Sequence, residues 1–322
     1  MTDFPAASFP AAKVRTFVPA DAPSLKRIAS AALRFDRPDA ADLVDLLWPQ
    51  ETPHLAVVAE VDGDVVGFAF GSLGRTHTGA LRGHINIFAV DPAAWRRGYG
   101  NALLAELEER LVAAGAAAEK LMIGGATFRF AWPGIDVRYT AASCLAEARG
   151  YRQYQPAMNM TVELDAAARA GRLATEDDEA RLAGHGVTVR RLDKADTEKI
   201  SPWLESWGGT WRQELLSTLD RPSGAGAYLA VLRDGEPDAQ YVGFAGYGVS
   251  RPDCFGPMGT ASELRKLGIG RVLLRRCLAD VRTAGYETAQ ITWVEPVAFY
   301  SRTVDAFVER MFWIYRNDPA DS

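Results

Sequence analysis

A glycine-rich turn in the second half of the chain has the residues needed to bind a phosphate group. Gly268 and Gly270 stand two positions apart, and basic side chains flank them at Arg265, Lys266 and Arg271. Glycine accepts positive φ and lets a ligand approach the backbone closely, and the N–H groups at the start of a helix attract anions. The pattern therefore predicts that this turn binds a phosphate.

Two other phosphate-binding motifs do not fit the turn. A dinucleotide-binding fold requires a third glycine three positions after the second, but Arg271, Val272 and Leu273 follow Gly270. A P-loop requires Gly-Lys followed by Ser or Thr, and the turn has no such run.

A related turn stands in the first half. Gly98-Tyr99-Gly100 follows Arg96 and Arg97, while Trp95 stands where the later turn has Arg265. Other segments repeat in the same order, with offsets of 175 and 176 positions. The matching pairs are Val14–Phe17 with Val189–Leu192, and Val66–Ala69 with Val242–Ala245. Ordered self-similarity of this kind predicts a duplication, with domains over 12–165 and 187–317 and a linker over 166–186.

Both halves have the same predicted order of elements. A strand leads into a helical region, and two apolar runs then form a hairpin, signalled in the first half by Asp62-Gly63. A further strand, the glycine turn, a helix with an apolar stripe, a strand, a helix and a closing strand follow. The sequence thus predicts an α+β fold, with a mostly antiparallel sheet flanked by helices, built twice in tandem.

The turns carry a resemblance to a known family. Arg265-x-x-Gly268-x-Gly270, and the spacing from Val90-Asp91-Pro92 to Gly98-x-Gly100, resemble the pyrophosphate loop of the GCN5-related N-acetyltransferase (GNAT) superfamily. The resemblance covers nearly the whole chain, once per half. It implies two tandem GNAT-fold domains, acetyl-CoA as the donor and an amine as the acceptor. It also implies that the strands flanking each turn splay apart to admit the pantetheine.

The resemblance assigns acetyl-CoA binding to each turn and to the strand before it. In the second half these residues are Met258, Gly259, Thr260, Arg265, Lys266, Leu267, Gly268, Ile269, Gly270 and Arg271. In the first half they are Phe88, Ala89, Val90, Arg96, Arg97, Gly98, Tyr99 and Gly100. A backbone N–H near Met258–Thr260 would hold the thioester carbonyl, and Thr288–Val294 would be the second splayed strand.

Catalytic roles follow from the same resemblance. Superfamily members often have a tyrosine at the last helix that protonates the departing CoA thiolate. Tyr300 holds this position in the second half, whereas Ala146 holds it in the first. The second half is therefore predicted to be catalytic and the first to be degenerate. Glu295, after the second splayed strand, is the candidate base for the amine, and Asp253 is the alternative.

A narrower resemblance concerns the acceptor. The segments Phe255–Thr260, Thr292–Pro296, Phe299-Tyr300 and Arg310–Trp313 are similar to acetyltransferases of bacterial cell-wall recycling, which act on glucosamine and glucosaminides. This similarity implies an amino-sugar acceptor, although that group has glycine where Glu295 stands. Other tandem members acetylate antibiotics, amino acids or thiol-sugar conjugates. A non-catalytic acetyl-CoA-binding sensor is the alternative from a different class.

Three tryptophans are a second candidate for contact with the acceptor. Trp203, Trp207 and Trp211 recur every four residues, which predicts one face of a helix. Such a face either packs into the core or stacks on a sugar ring.

Composition excludes several classes of function. The 322 residues include 36 Lys and Arg against 41 Asp and Glu, a net charge of −5, whereas a general nucleic-acid binder is basic. No apolar run reaches the ~18 residues that a membrane span requires. The cysteines and histidines lack metal-ligand spacing, so no metal is expected. The three cysteines cannot all pair, which favours a reduced, cytoplasmic compartment, and the resemblance to the GNAT superfamily implies a small-molecule amine as the partner.

Overall fold

The structure, a computed structural model, describes residues 10–36, 39–75, 79–125, 131–221 and 223–317. It divides into two units that each contain one copy of the repeat. Unit 1 consists of Met1–Pro156 together with Phe312–Ser322, and unit 2 of Ala157–Met311. Within the described ranges, no helix has both the length and the apolar character needed to cross a bilayer.

The elements of unit 1 appear in the predicted order. They are β1 (Lys13–Thr16), α1 (Ala22–Ala32), α2 (Asp42–Leu47), β2 (Ala56–Val61), β3 (Asp64–Arg75), β4 (Leu81–Val90), α3 (Tyr99–Ala113), β5 (Leu121–Ile123), β6 (Ile135–Asp136) and α4 (Thr140–Ala148). The strand β7 (Arg152–Glu163) begins in this unit. The sheet order is β1-β2-β3-β4-β5, and only β4 and β5 pair in parallel among these strands.

Alternation along β3 builds the core of unit 1 on both faces of its sheet. Phe68 and Phe70 point to the face that α1 and α2 cover, and Ala69, between them, points to the face that α3 covers. The apolar stripe of α3, which includes Leu103 and Leu107, is completely buried there. Period-two strands and an amphipathic helix thus position the glycine turn that joins β4 to α3.

Unit 2 repeats this plan. Its elements are α5 (Leu164–Arg169), α6 (Glu176–Ala183), β8 (Val187–Arg191), α7 (Thr197–Glu205), α8 (Trp211–Ser217), β9 (Gly226–Leu232), β10 (Gln240–Tyr247), β11 (Cys254–Thr260), α9 (Ile269–Thr283), β12 (Thr288–Ile291) and α10 (Val297–Val304), followed by the strand β13 (Phe307–Arg316). The sheet order is β8-β9-β10-β11-β12-β7, with β11 and β12 parallel and the other pairs antiparallel. The predicted tandem α+β fold is confirmed.

A repeated ion pair provides a structural counterpart of the duplication. Arg15 donates to both carboxylate oxygens of Asp21 at 2.7 and 2.9 Å, and Arg190 donates to both oxygens of Asp196 at 2.8 Å. In each pair the carboxylate also closes the 3-10 turn before the next helix, because it accepts the backbone N–H of Val18 or Asp193 at 2.9 Å. Both pairs keep the offset of 175 positions that the sequence shows.

The unit boundaries differ from those that the repeat predicts. The strands β7 and β13 each supply residues to both units: 157–163 of β7 belong to unit 2, and 312–316 of β13 belong to unit 1. In unit 1, Tyr315 and Arg316 pair with β5, and Phe312 and Trp313 pair with β6. In unit 2, residues Met160–Glu163 pair with β12. Non-local strand pairing of this kind leaves no signal in the local pattern.

The segment 166–186 is also not a solvated linker. It contains the end of α5 and the whole of α6, and Leu182 of α6 is fully buried in the core of unit 2 with Leu173 and Val187 beside it. Two of its acidic residues, Asp178 and Glu179, form ion pairs with arginines of α9.

A buried histidine makes the stability of unit 1 dependent on pH. His84 is 5% exposed, and its Nδ1 lies 2.9 Å from the carbonyl oxygen of Gly124. Burial lowers its pKa to about 4, so the folded state stays neutral where an unfolded histidine already binds a proton. The free energy of unfolding is therefore expected to decrease by on the order of 2–3 kcal/mol as pH falls from about 6.5 towards 4.

Urea unfolding at pH 7 and pH 4.5 measures this dependence. The His84→Gln variant should lose part of it, and His185→Gln, at an exposed position, should retain all of it. An unchanged dependence in His84→Gln would contradict the assignment.

Candidate functional site

A gap opens between two parallel strands in unit 2. The strands β11 and β12 pair only at Cys254 with Gln290 and at Phe255 with Ile291. β11 then continues to Thr260, whereas β12 ends at Ile291, three residues before the predicted end of that strand. The chain turns away there because Trp293 adopts a left-handed conformation with φ of 51°. The predicted separation of the two strands is therefore present.

The backbone of β11 offers hydrogen-bond donors to this gap. Gly259 pairs with Phe244 of β10, and the N–H of Ala261 donates to the carbonyl of Val242 at 2.9 Å. Since successive backbone groups of a strand point to opposite sides, the N–H groups of Met258 and Thr260 point towards the gap. A carbonyl lying between the strands could accept either of them.

The register of β11 shifts beside the gap, and two glycines there have different functions. Gly256, with φ of 131°, lies in a bulge opposite Gly246 of β10. Gly259 instead makes room for aromatic rings, because a Cβ there would lie 2.6 Å from the ring of Phe244 and 2.9 Å from Trp207.

The predicted phosphate turn leads directly from β11 into α9. Gly268 is the N-cap of α9 and has φ of 81°, a left-handed conformation that favours glycine. The first hydrogen bond of the helix is donated by the N–H of Arg271 to the carbonyl of Gly268. The N–H groups of Ile269 and Gly270 therefore precede the hydrogen bonds of the helix and are suited to binding an anion. Arg265, Lys266 and Leu267 end a 3-10 turn that runs from Ser262 to Leu267. These residues contribute two basic side chains to the site, those of Arg265 and Lys266.

The turn borders a basic cleft of about 520 Å³. Its lining consists of cationic side chains and the start of α10: Arg181, Arg265, Lys266, Gly268, Arg271, Pro296, Ala298, Phe299, Arg302 and Thr303. A Cβ on Gly270 would lie 3.5 Å from the Thr260 hydroxyl, 3.6 Å from Phe299 and 3.9 Å from Met258. The end of β11, the start of α9 and the start of α10 therefore meet at one point.

The cleft includes two arginines that sequence reasoning missed. Arg302 is on α10 and Arg181 is on α6, in the segment taken as a linker. Arg302 could have been predicted, because it lies three residues after Phe299 and so on the same face of a helix. Only the packing of α6 against α9 brings Arg181 to the turn, and no sequence motif marks that packing.

Tyr300 lies on α10 between the cleft and the strand gap. It is 7% exposed, and its ring makes edge-to-face contacts with Phe255, the last paired residue of β11 on this side, and with Phe299 of the cleft wall. Burial raises the pKa of its hydroxyl to about 12, so the phenol keeps its proton throughout the neutral range. It can therefore donate a proton to an anion in the gap.

The two carboxylates singled out from the sequence have different surroundings. Glu295 is exposed, on the loop that joins β12 to α10, next to Pro296 of the basic cleft. Asp253 accepts a hydrogen bond from Arg251 at 3.3 Å and lies just before β11. Neither is enclosed by the protein.

A third carboxylate, Glu214 on α8, is buried. It is 5% exposed, its polar partner is the Thr210 hydroxyl, and burial raises its pKa. α8 packs on β10 and β11 on the face opposite α9. Leu215, the next residue, lies 3.3 Å from a Cβ built on Gly246, which faces the bulge of β11. Glu214 therefore lies on a helix that packs beside the bulge of β11, on the face of the sheet away from α9.

The tryptophans lie on the same side as Glu214 but not on one helix. α7 ends at Glu205 and α8 begins at Trp211, so Trp207 lies in the turn between them and the predicted single helical face is wrong. All three indoles make edge-to-face contacts with Phe244, with ring centres 5.4 to 5.8 Å away. Each is partly exposed, so the cluster is both core and wall.

Unit 1 has the same gap and turn. β4 pairs with β5 only over Gly83–Ile85 and continues to Val90. Phe88 and Val90 present their backbone towards the gap, as Met258 and Thr260 do in unit 2, because the N–H of Asp91 bonds to β3. Gly98 is the left-handed N-cap of α3, with φ of 86°.

Two substitutions change the unit 1 site. The indole N–H of Trp95 donates to the carbonyl of Val90 at 2.7 Å and so occupies a backbone group that faces the gap. Leu145 contacts Gly100 as Phe299 contacts Gly270, which places Ala146 at the position of Tyr300. Arg97 is turned to the carbonyl of Ala93 at 3.0 Å. Unit 1 thus has the backbone of the site, with alanine where unit 2 has Tyr300.

Comparisons with known proteins agree with this geometry. Residues 22–131, within unit 1, match the model of the acetyltransferase (GNAT) family. No curated protein matches the chain in sequence. Several hundred solved structures resemble it.

Three of these structures cover almost the whole chain. A GCN5-related glucosamine N-acetyltransferase region of a fungal multi-domain GH3 β-N-acetylglucosaminidase has a TM-score of 0.76 and 17% identity over 95% of this chain, which spans 38% of that one. A GCN5-related N-acetyltransferase from Sphaerobacter thermophilus has a TM-score of 0.66 and 20% identity, and the match covers 96% of both chains. A tandem GNAT protein from the clavulanic acid biosynthesis pathway has a TM-score of 0.66 and 16% identity, and the match covers 96% of this chain and 100% of that one.

At these identities the structural likeness shows the fold, while the family model identifies a stretch of sequence. Residues 22–131 thus match the acetyltransferase (GNAT) family model, and the chain as a whole resembles solved GCN5-related and tandem GNAT structures in fold.

Proposed function

We propose that unit 2 transfers an acetyl group from acetyl-CoA to the primary amine of a small molecule. The observation that carries this proposal is the opening between β11 and β12 beside a basic cleft at the start of α9. The N–H groups of Met258 and Thr260, which point towards the gap, fit the amide-bearing arm of acetyl-CoA. The cationic side chains of the cleft fit its phosphates. The fold supports acetyl transfer from acetyl-CoA in general.

Each end of the site has a separate task in this proposal. Arg265, Lys266 and the N–H groups at the start of α9 bind phosphate. The N–H of Met258 donates to the thioester carbonyl and stabilises the negative charge that develops on its oxygen as the amine attacks. Tyr300 then gives its proton to the departing thiolate.

The incoming amine must lose a proton before or during its attack. The sequence predicts Glu295 for this step, with Asp253 as the alternative. We assign the step to Glu214, because its carboxylate is buried on the face opposite the donor cleft and its raised pKa makes it a stronger base than an exposed glutamate. Glu295 serves as the comparison in the test.

The acceptor that we propose is an amino sugar such as glucosamine. The similarity of the segments around Phe255–Thr260 and Thr292–Pro296 to glucosaminide acetyltransferases supports this class. The fungal region with the same fold is described as a glucosamine N-acetyltransferase. Partly exposed indoles beside a buried carboxylate suit a ring that carries an ammonium group.

Release of CoA thiol from acetyl-CoA tests the proposal directly. The full chain is incubated with acetyl-CoA and millimolar glucosamine, with a control that lacks the acceptor. Acceptor-dependent release is expected. Release only with other amines would exclude the amino sugar, and acetyl-CoA binding without release to any amine would favour a sensor.

A second test concerns the number of donor sites. We expect one acetyl-CoA per chain by titration calorimetry, because Trp95 occupies the Val90 carbonyl in unit 1. Gly268→Val and Gly98→Val are a matched pair, since both glycines have left-handed φ and a β-branched residue is strained there. The first variant should lose binding and the second should retain it. Two sites per chain, or loss of binding in Gly98→Val, would contradict the assignment.

A further inference from the structure

Helix α6 is anchored to α9 by charged side chains. Glu179 accepts two hydrogen bonds from Arg276, at 2.6 and 2.7 Å. Asp178 lies 3.1 Å from Arg275 and 2.5 Å from Arg271. With Leu182 buried beneath it, this short helix has a fixed position against the side of α9 that leads to the phosphate turn.

This position brings Arg181 to the turn itself. Its Nη2 lies 2.9 Å from a Cβ built on Gly268, and Nη2 of Arg271 lies 3.3 Å from the same point. Asp178 accepts from both guanidinium groups and thereby holds them on one side of the cleft. The side chain of Arg181 is 40% exposed, so it can reach a ligand without being uncovered first.

The number of cations in the cleft exceeds what one pyrophosphate requires. Arg181, Arg265, Lys266, Arg271 and Arg302 line it, and Asp178 neutralises one of these charges. About four positive charges are left. A pyrophosphate diester carries about −2, and a phosphomonoester adds roughly −1.5 to −2 near neutral pH. The cleft is therefore charged for both groups.

We infer that Arg181 of α6 binds the 3′-phosphate of CoA and makes unit 2 selective for CoA over its dephosphorylated form. This inference rests on the proposed function, since it concerns the same donor site. The start of α9 with Arg265 and Lys266 takes the pyrophosphate, and Arg181 with Arg271 takes the terminal phosphomonoester. Asp178 is a positioning residue that orients both guanidinium groups.

Titration calorimetry with two named probes tests the inference. CoA and 3′-dephospho-CoA are titrated into the full wild-type chain, into Arg181→Gln and into Arg282→Gln. Arg282 is a matched control on α9, paired with Asp165 at 2.7 Å and outside the cleft lining. Thermal unfolding of each variant verifies that it is folded.

The wild type and Arg282→Gln should bind CoA at least about tenfold more tightly than dephospho-CoA, the range of one charged hydrogen bond. Arg181→Gln should lose most of this difference, with Arg271 retaining the rest, and Arg181→Lys should recover part of what is lost. Equal binding by the wild type, or an equal loss for both probes in Arg181→Gln, would overturn the inference alone. A wild type that binds neither probe would overturn the proposed function as well.

Discussion

Replacing Tyr300 by phenylalanine should lower kcat for acetyl transfer by about 10²-fold or more, the usual contribution of a general acid. The change removes one hydroxyl and retains the ring that contacts Phe255 and Phe299. The KM for acetyl-CoA should change by less than about twofold, because the cleft residues that hold the phosphates are untouched. The effect should therefore appear in kcat alone.

Steady-state rates of CoA release with saturating acetyl-CoA measure this effect. Tyr286→Phe, at an exposed position outside the cleft, is the matched control and should retain the wild-type rate. Because the Tyr300 hydroxyl has a pKa of about 12, the wild type should show no loss of rate from this group up to about pH 10. A full rate in Tyr300→Phe would remove the residue from the mechanism.

The second large effect is expected at Glu214. Glutamine there keeps the shape and the contact with Thr210 but cannot accept a proton, so kcat/KM for the amine should fall by about 10²-fold. Burial raises the pKa of this carboxyl, and only the deprotonated form acts as a base. The wild-type rate should thus fall as pH decreases, with an apparent pKa above that of an ordinary glutamate, and the Glu214→Gln rate should lack this limb.

Glu295→Gln is the paired experiment, because it tests the carboxylate that the sequence favours. With the exposed position of Glu295, we expect a change of less than about threefold and an unaltered pH profile. If the two variants exchange these results, the proton passes to Glu295 and Glu214 is a buried structural residue.

Local sequence patterns predicted much of the fold. The Asp62-Gly63 turn has positive φ at both residues, which matches the twist of a hairpin. The strand β5 (Leu121–Ile123) follows the helix with the apolar stripe, in the predicted order. Strands and helices of this kind are specified by periodicity and by glycine. The phosphate turn was also predictable, because its backbone conformation requires Gly268.

Residues brought together by packing were beyond the sequence. Arg181 reaches the basic cleft only because α6 packs on α9. Glu214 differs from an ordinary surface glutamate only because the packing of α8 buries it. Neither residue lies in a motif, and a charged residue on a short helix is usually solvated. The early end of β12 also depends on the left-handed turn at Trp293, which a β-favouring residue does not signal.

The family model matches unit 1, whereas the proposed chemistry lies in unit 2. The two observations concern different properties. The matched residues of unit 1 include the run from Val90-Asp91-Pro92 to Gly98-Tyr99-Gly100 that forms the turn. Trp95 and Ala146 change what the turn can do without changing how the chain folds there. Neither the fold nor the family-model match therefore decides which unit is active.

The crossing of β7 and β13 between the two units has a consequence for biosynthesis. Unit 1 ends its first segment at Pro156 but obtains the strand that pairs with β5 from residues after Phe312. At about 5–20 residues per second, translation reaches that strand roughly 10–30 s after the ribosome has passed Pro156. During this interval β5 presents an open edge. The first repeat therefore completes its sheet only after almost all of the second repeat has been synthesised, and a gene cut after Pro156 would leave unit 1 without the strand that pairs with β5.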